Sequence, residues 1–360
     1  MITDLPIIEL AGSAKSMGEA FGESCREQVR ELYVLRMESA IRFSEEKGRT
    51  VTEEQVLDGA RECLKLTEDY DSMVYDEFVG IAHAAGISPE QCYVVQGLTD
   101  LRDLLAFGPP PEGAGCSSFI LGAERSTTGR MLLGQTWDFQ TNNMPYVRLV
   151  HRKPENDPET WSLTLTGCLT LIGINAEGIA VGNTNLHTTD AGVGVQYLTV
   201  LHRALRSRSL SEAVESIREA PRSAAHYYYA AGPDGVAVGL ECSATDAVSF
   251  EIRSGFFVHC NHALSDEIAA IETEAPTFST LHRQARLGQL LGSHVRTVGI
   301  EDLKRFLSDH EGGQDRCICR HDFKEISTNA TVIMSPVTRE IHACRSQAHL
   351  GRWVMRKAGA

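Results

Sequence analysis

The sequence has no apolar run near the roughly 20 residues that a membrane span needs. Its start, Met1-Ile2-Thr3-Asp4-Leu5-Pro6, carries no basic, apolar, small-residue leader. A cytoplasmic protein with no membrane partner is expected. No glycine-rich loop that could cradle phosphate is present, so no nucleotide cofactor is indicated, and no internal repeat or low-complexity linker stands out. Basic charge is in deficit: 34 Lys and Arg stand against 48 Asp and Glu, a net charge of −14. Up to Gly115 the counts are 10 and 22, so nearly all of the acidic excess sits in that part. Nucleic acid is excluded as a partner, because phosphate binding needs a basic face. The excess reads as a solvated helical surface that bears on solubility rather than on fold.

A disulfide framework is missing as well. Ten cysteines are scattered along 360 residues with no leader, so reduced thiols are expected. In Cys317-Ile318-Cys319-Arg320-His321 the two cysteines are too close for a structural zinc site, which asks for two or more intervening residues and a second pair elsewhere. No metal and no cofactor are expected.

What is present begins with helix starts. Val51-Thr52-Glu53-Glu54-Gln55-Val56 is a capping box with a hydrophobic staple, and Ile87-Ser88-Pro89-Glu90-Gln91-Cys92 repeats it with proline at the first helical position. One long helix is expected over residues 13–46. At 360 residues the chain exceeds the roughly 250–300 that one core serves, so two packed regions are expected: a mainly helical segment over 1–115 and a second region over 116–360.

After residue 116 the pattern turns to short strands. They are expected at 146–151, 161–166, 168–174, 178–182, 227–231, 236–241, 248–253 and 256–260, with a closing hairpin of 331–335 and 340–344. Helices are expected at 210–219, 277–291 and 300–308. Antiparallel strands alternating with blocks of helix give an α+β fold of two sheets between helical layers.

The densest chemical signal is Gly115-Cys116-Ser117-Ser118-Phe119, between the Pro/Gly-rich loop Gly108-Pro109-Pro110-Pro111-Glu112-Gly113-Ala114 and a strand. If the Gly115-Cys116 bond breaks, Cys116 gains a free α-amine beside its thiol, uniting nucleophile and base in one residue. Such an amine titrates near about 7.7–8.0, close enough to a thiol at about 8.5 to serve as its base. Gly115 has no side chain to obstruct the attack. The segment Gly129 to Phe139 reads as a second strand ending in Trp137-Asp138-Phe139, and a hairpin would return Asp138 toward Cys116. His259 and His262 bracket Asn261, leaving open a cysteine–histidine pair of the papain kind.

These segments occur in a fixed order with Gly134-Gln135-Thr136-Trp137-Asp138-Phe139, with 173–181 leading into Asn183-Thr184-Asn185-Leu186, with His259-Cys260-Asn261-His262, with Cys319-Arg320-His321 and with 328–334. In that order the chain resembles, over nearly its whole length, the acyl-coenzyme A:6-aminopenicillanic acid acyltransferase family of N-terminal-nucleophile hydrolases, which also holds bacterial amidases and carcinine-hydrolase-like enzymes. The resemblance implies a four-layer αββα sandwich. It makes Cys116 the nucleophile of self-cleavage and of catalysis, Asp138 the holder of the new α-amine, and Asn261 an oxyanion donor. Asn185 is the second oxyanion candidate, with Asn183 two residues away, and Arg345 is the basic residue expected near the chain end, although Ala343-Cys344-Arg345-Ser346 lacks the expected glycine. Trp137, Phe139 and the loop 141–146 would line the acyl side. The implied activity is hydrolysis of a linear amide through a thioester. Transfer of an acyl group from coenzyme A or an amide to an amine, and a silent binding homologue, are the alternatives. The partners would be a small-molecule amide, acyl-coenzyme A under the transfer reading, and the two fragments of the cut chain.

Overall fold

Local capping fixes where the acidic first third becomes helical. The structure, a computed structural model, describes residues 3–106, 115–293 and 297–360. The loop 108–114 read from the sequence lies outside the described residues. Strand β1 (Ile7–Gly12) leads into α1 (Ala14–Ser24) and α2 (Arg26–Glu46). The single helix expected over 13–46 is therefore two, broken at Cys25, whose φ of −129° and ψ of 20° leave the helical range. Just before the break the Ser24 hydroxyl donates to the Phe21 carbonyl at 2.9 Å, a side-chain bond that competes with the helical ladder. Helix α3 (Glu53–Tyr70) starts with the expected box: Gln55 N donates to Thr52 Oγ1 at 3.3 Å and Thr52 N to Gln55 Oε1 at 2.9 Å. Helix α4 (Ser72–Ala85) is capped by Asp71, and α5 (Pro89–Ala106) by the reciprocal Ser88–Gln91 pair at 3.2 and 2.9 Å. Helices α1 and α4 cross at contact distance: a Cβ on Gly18 would lie 2.0 Å from the Glu77 carbonyl oxygen, so only glycine fits.

The rest of the chain builds two sheets. It runs through β2 (Ser117–Leu121), β3 (Leu132–Gln140), β4 (Val147–Pro154), β5 (Thr160–Leu165), β6 (Ile172–Asn175) and β7 (Ala180–Asn185). Next come α6 (Tyr197–Leu205), α7 (Leu210–Glu219), β8 (His226–Ala231), β9 (Ala237–Cys242), β10 (Ala247–Ile252) and β11 (Phe256–His259). The short α8 (Asp266–Ala269) precedes α9 (Phe278–Gly292), α10 (Ile300–Phe306), β12 (Ile326–Ser335), β13 (Glu340–Arg345) and β14 (Val354–Lys357). One sheet has eight strands in the order β1-β4-β5-β6-β7-β8-β9-β10, the other six in the order β11-β2-β3-β12-β13-β14.

Alternation along the inner strands sorts side chains between two cores. Ile120, Leu133, Val332, Met334 and Ile341 join the core between the sheets, while Phe119, Leu121, Leu132 and Ile333 face outward onto Leu287, Leu291 and Leu303 of α9 and α10. Helices α6 and α7 pack on the opposite face of the eight-stranded sheet, alongside α1 and α4. The result is the expected four-layer αββα sandwich.

Three departures from the sequence reading have local causes. Residues 168–171, expected as the start of a strand, form a buried connection after a turn at 166–167: Gly167 takes a φ of +70°, and Gln96 of α5 accepts the Leu169 N–H at 3.1 Å. Strand β12 starts at Ile326 instead of residue 331, because β3 pairs with it as far as Gln140. The helical first segment also supplies a strand, β1, which pairs in parallel with β4 (Ile7 opposite Leu149). All ten cysteines are unpaired and buried. Among the described residues no helix is long and apolar enough to cross a membrane.

Candidate active site

The β2–β3 hairpin sets the first two residues of the site. Ser117 pairs with Thr136, which leaves Cys116, one residue ahead of β2, beside the end of β3 that carries Trp137, Asp138 and Phe139. On the other side of β3, Thr328 of β12 pairs with Asp138 immediately before a register shift between Thr328 and Ala330. Irregularities of this kind re-aim side chains. Here the Thr328 hydroxyl donates to Asp138 Oδ1 at 2.7 Å, and Arg320 Nε stands 3.3 Å from Oδ2 with both side chains fully buried. Oδ2 itself accepts no aligned hydrogen bond, so acceptor capacity remains next to Cys116.

Electrostatics give these two groups distinct chemistry. Burial, and then the Asp138 charge, push the Cys116 thiol up to about 12, while a backbone hydrogen bond from Asp138 pulls the other way. The thiol of the continuous chain is therefore protonated at neutral pH. Burial raises Asp138 to about 6, with Arg320 and Arg283 opposing. A raised carboxyl value means that the folded state holds this proton more tightly than the unfolded state does. Its contribution to stability is present below the ordinary 3.8 and is lost as pH rises through about 6.

Gly115 is threaded through the tightest part of the site. Its φ is +145°, and a Cβ there would lie 2.2 Å from Asn261 Oδ1 and 2.6 Å from Arg283 Nη2. Arg283, on α9 and fully buried, ties these parts together. Its Nη1 donates to the Cys116 carbonyl oxygen and, at 3.0 Å, to Ser117 Oγ, while Nη2 donates to Asn261 Oδ1 at 3.0 Å. With its oxygen fixed by a guanidinium, the Asn261 amide turns its nitrogen the other way, and Nδ2 donates to the Asn185 carbonyl at 2.9 Å. A primary amide has two N–H groups, so one remains.

Cys116, Asp138, Asn185, Asn261, Trp137 and Phe139 all line one small cavity of about 40 Å³, together with Asn183, His226, His187 and Arg102. This is far below the roughly 300–1,000 Å³ of ordinary small-molecule pockets. The Asn185 side-chain nitrogen lies 2.9 Å from His187 Nε2, and its buried Oδ1 has no partner. Asn183 is held in a relay, its Nδ2 lying 3.1 Å from His226 Nδ1, with His226 Nε2 2.7 Å from Asp100. Phe139 and Arg102 also wall a neighbouring cavity with Arg36 and Phe43, which shares Arg36, Ser39 and Gln140 with a larger one of about 370 Å³ along α2. A separate space of about 170 Å³ lies away from Cys116, and its Glu77, Arg152 and His202 are paired with one another.

Several sequence expectations are placed elsewhere. Arg345 is outside the cavity and donates to the Pro145 carbonyl at 3.4 Å; the buried cations beside Cys116 and Asp138 are Arg283 and Arg320. Of the loop 141–146, Asn142 and Asn143 border the α2 cavity and not the one holding Cys116. His259 is stacked 3.8 Å from Tyr227 and bonded to Glu241 at 2.8 Å, and His262 meets Thr280 Oγ1 at 2.9 Å. Neither histidine lines the cavity, so the papain-like pairing is not formed. Arg320 belongs to the Cys319-Arg320-His321 motif, whereas Arg283 is one of several basic residues on a helix and carries no signal in the sequence.

A buried cysteine heading an inner strand of a two-sheet sandwich, with a carboxylate and oriented amides around it, is the frame of an acyl-transferring or amide-cleaving enzyme. The sequence profile of the family described as acyl-coenzyme A:6-aminopenicillanic acid acyl-transferase matches residues 125–349, more than half of the chain. The chain belongs to this family, the one its motifs resemble. A curated relative, the 40 kDa form of acyl-coenzyme A:6-aminopenicillanic-acid-acyltransferase of Emericella nidulans, is 25% identical over 295 residues, spanning 81% of this chain and 79% of the relative. Among solved structures, a variant of conjugated bile acid hydrolase from Clostridium perfringens is similar with a TM-score of 0.47 and 12% identity, over 66% of this chain and 92% of that one. Penicillin V acylase from Agrobacterium tumefaciens is similar with a TM-score of 0.44 and 11% identity, over 67% and 86%. The family match contains Asp138, Asn185, Asn261, Arg283 and Arg320 and starts just beyond Cys116.

Proposed function

We propose that the chain cuts itself between Gly115 and Cys116 and then works as a cysteine N-terminal-nucleophile amidohydrolase, opening a linear amide through a thioester. The observation that carries this reading is the position of Cys116: it leads an inner strand beside a carboxylate with spare acceptor capacity, with Gly115 held against Asn261 and Arg283. In self-cleavage the Cys116 sulfur adds to the Gly115 carbonyl carbon. The C–N bond breaks as C–S forms, and the released nitrogen takes the thiol proton. Water then splits the thioester, leaving a Gly115 carboxylate and a free α-amine on Cys116. The fragments 1–115 and 116–360 would stay together through their common core.

In turnover the α-amine accepts the thiol proton and the sulfur attacks the substrate carbonyl. A neighbouring negative charge disfavours a thiolate and favours an ammonium, so Asp138 suits the second role: it anchors the α-amine. The remaining N–H of Asn261 meets the oxyanion, with Asn185 as the second donor. The ammonium returns its proton to the leaving amine, and water resolves the acyl-enzyme. Acyl transfer is the second reading, favoured by the name of the Emericella relative: an amine in place of water gives a new amide. The cavities leading from Phe139 and Arg102 to Arg36 offer the acyl group an apolar wall with a cation beyond it.

Intact mass measured under denaturing conditions tests the reading. Two masses that divide the chain at Gly115-Cys116, and an acyl adduct confined to the Cys116 fragment on incubation with an activated acyl donor, are expected. An uncut wild type with no adduct would sink it. Free acid against acylated amine, with both nucleophiles supplied, decides between hydrolysis and transfer.

A pH dependence follows from Asp138. In the cut enzyme the ammonium beside it draws its value down from about 6, so kcat/KM should fall off on the acid side at or below that pH. In Asp138→Asn that limb should vanish and the plateau should drop. A limb unchanged in the variant would remove the anchoring role.

A further inference from the structure

Outside the site just described, three histidines and a cysteine converge from three separate stretches of chain. His310 follows α10, Cys319 and His321 sit in the loop leading to β12, and His349 lies beyond β13. Their ligand atoms all fall within 4.8 Å of one another. Cys319 Sγ is 3.7 Å from His349 Nδ1 and 3.9 Å from His321 Nε2, and the Nε2 atoms of His310 and His321 are 2.8 Å apart. A tetrahedral ion with bonds of about 2.0–2.1 Å to nitrogen and about 2.3 Å to sulfur holds its ligand atoms roughly 3.3–3.6 Å apart. The two cysteine–histidine contacts lie within a few tenths of an ångström of that arrangement, and the two histidine nitrogens stand about half an ångström closer than a bound ion would hold them.

We infer that His310, Cys319, His321 and His349 form a structural zinc site. One thiolate and three neutral imidazoles suit a borderline-soft ion, and four protein ligands close the tetrahedron, which is the pattern of structural rather than catalytic zinc. Cys317 and Cys319, one residue apart, are too close to serve as a zinc pair, and only Cys319 joins the cluster. Cys317 is turned away, its thiol donating to the Cys319 carbonyl at 2.9 Å, and the other ligands come from segments distant in sequence.

The position gives the ion a purpose. Arg320 lies between two ligands, and its backbone is pinned on both sides: its N–H donates to Thr328 Oγ1 and its carbonyl accepts from Gln347 Nε2, each at 2.9 Å. The same Arg320 and Thr328 hold the Asp138 carboxylate. A metal at Cys319 and His321 would lock the loop that presents Arg320.

The test uses the full-length protein grown with zinc and desalted. About one zinc per chain is expected by elemental analysis, as four protein ligands imply. Cobalt(II) exchanged into the site should show an intense thiolate-to-metal band in the near ultraviolet that disappears in Cys319→Ser. Because Cys319 is buried, His310→Ala and His349→Ala, both at exposed positions, serve as variants that keep the fold, checked by circular dichroism. Each should weaken zinc by at least about a hundredfold, since losing even a supporting residue costs roughly 10–100-fold. Wild-type protein without stoichiometric zinc and without the cobalt band, or zinc affinity unchanged in both histidine variants, would overturn the site.

Discussion

Cys116→Ala is expected to remain one uncut chain and to lose activity by a factor on the order of 10⁶, the scale seen when a hydrolase loses its nucleophile. Removing one buried sulfur leaves the backbone and the Arg283 contacts in place, so the variant should melt close to the wild type. That separates lost chemistry from lost fold. Cys116→Ser keeps the shape and weakens the nucleophile, since a hydroxyl ionises far less readily than a thiol; slow, incomplete cleavage is expected. Mass spectrometry reads both variants directly. A Cys116→Ala protein that still divides at the same bond would show that the cut is made by another group.

The second large effect belongs to Arg283. Replacing it with alanine strips the donors from the Cys116 carbonyl and from Asn261 Oδ1. The Asn261 amide is then free to rotate, and a misaimed oxyanion donor typically costs about 10²–10³ in kcat. KM should change little, because Arg283 does not line the cavity that holds Cys116 and would act through Asn261 and the Cys116 backbone. A purely structural role would instead lower the melting temperature and leave the kcat of the surviving enzyme intact. Arg283→Lys restores the charge but not the two-pronged geometry, so it should recover only part of the rate.

The parts of the site that could be read from the sequence are those carried by a hairpin and by short strands. Cys116 and Asp138 are neighbours because a strand, a polar connection and a second strand leave few other arrangements. Arg283 and Arg320 could not be read this way. They reach the site from a helix and a loop more than 150 residues downstream of Cys116, and only the stacking of layers brings them there. The helical character of the first third was written in its caps. Its strand β1 was not, because a six-residue run gives no hint that its partner is β4, across five helices and two strands. Helix α6 has nine residues and is buried except at Arg203, and so short an apolar run is not told from a strand by periodicity. The His310, Cys319, His321 and His349 cluster illustrates the same limit, since no spacing rule gathers residues from three loops.

The parallel pairing of β1 with β4 carries a consequence for the life of the molecule after the proposed cut. A strand that folded as part of the same polypeptide becomes a strand lent by another. Assembly is then first order only once, before cleavage, while the intervening chain holds β1 at high effective concentration. Afterward, unfolding releases two solutes, and recovery becomes a concentration-dependent encounter between them. The cut would act as a ratchet: the mature enzyme is guarded by the barrier to coming apart, and a molecule that does come apart has lost the path by which it was made.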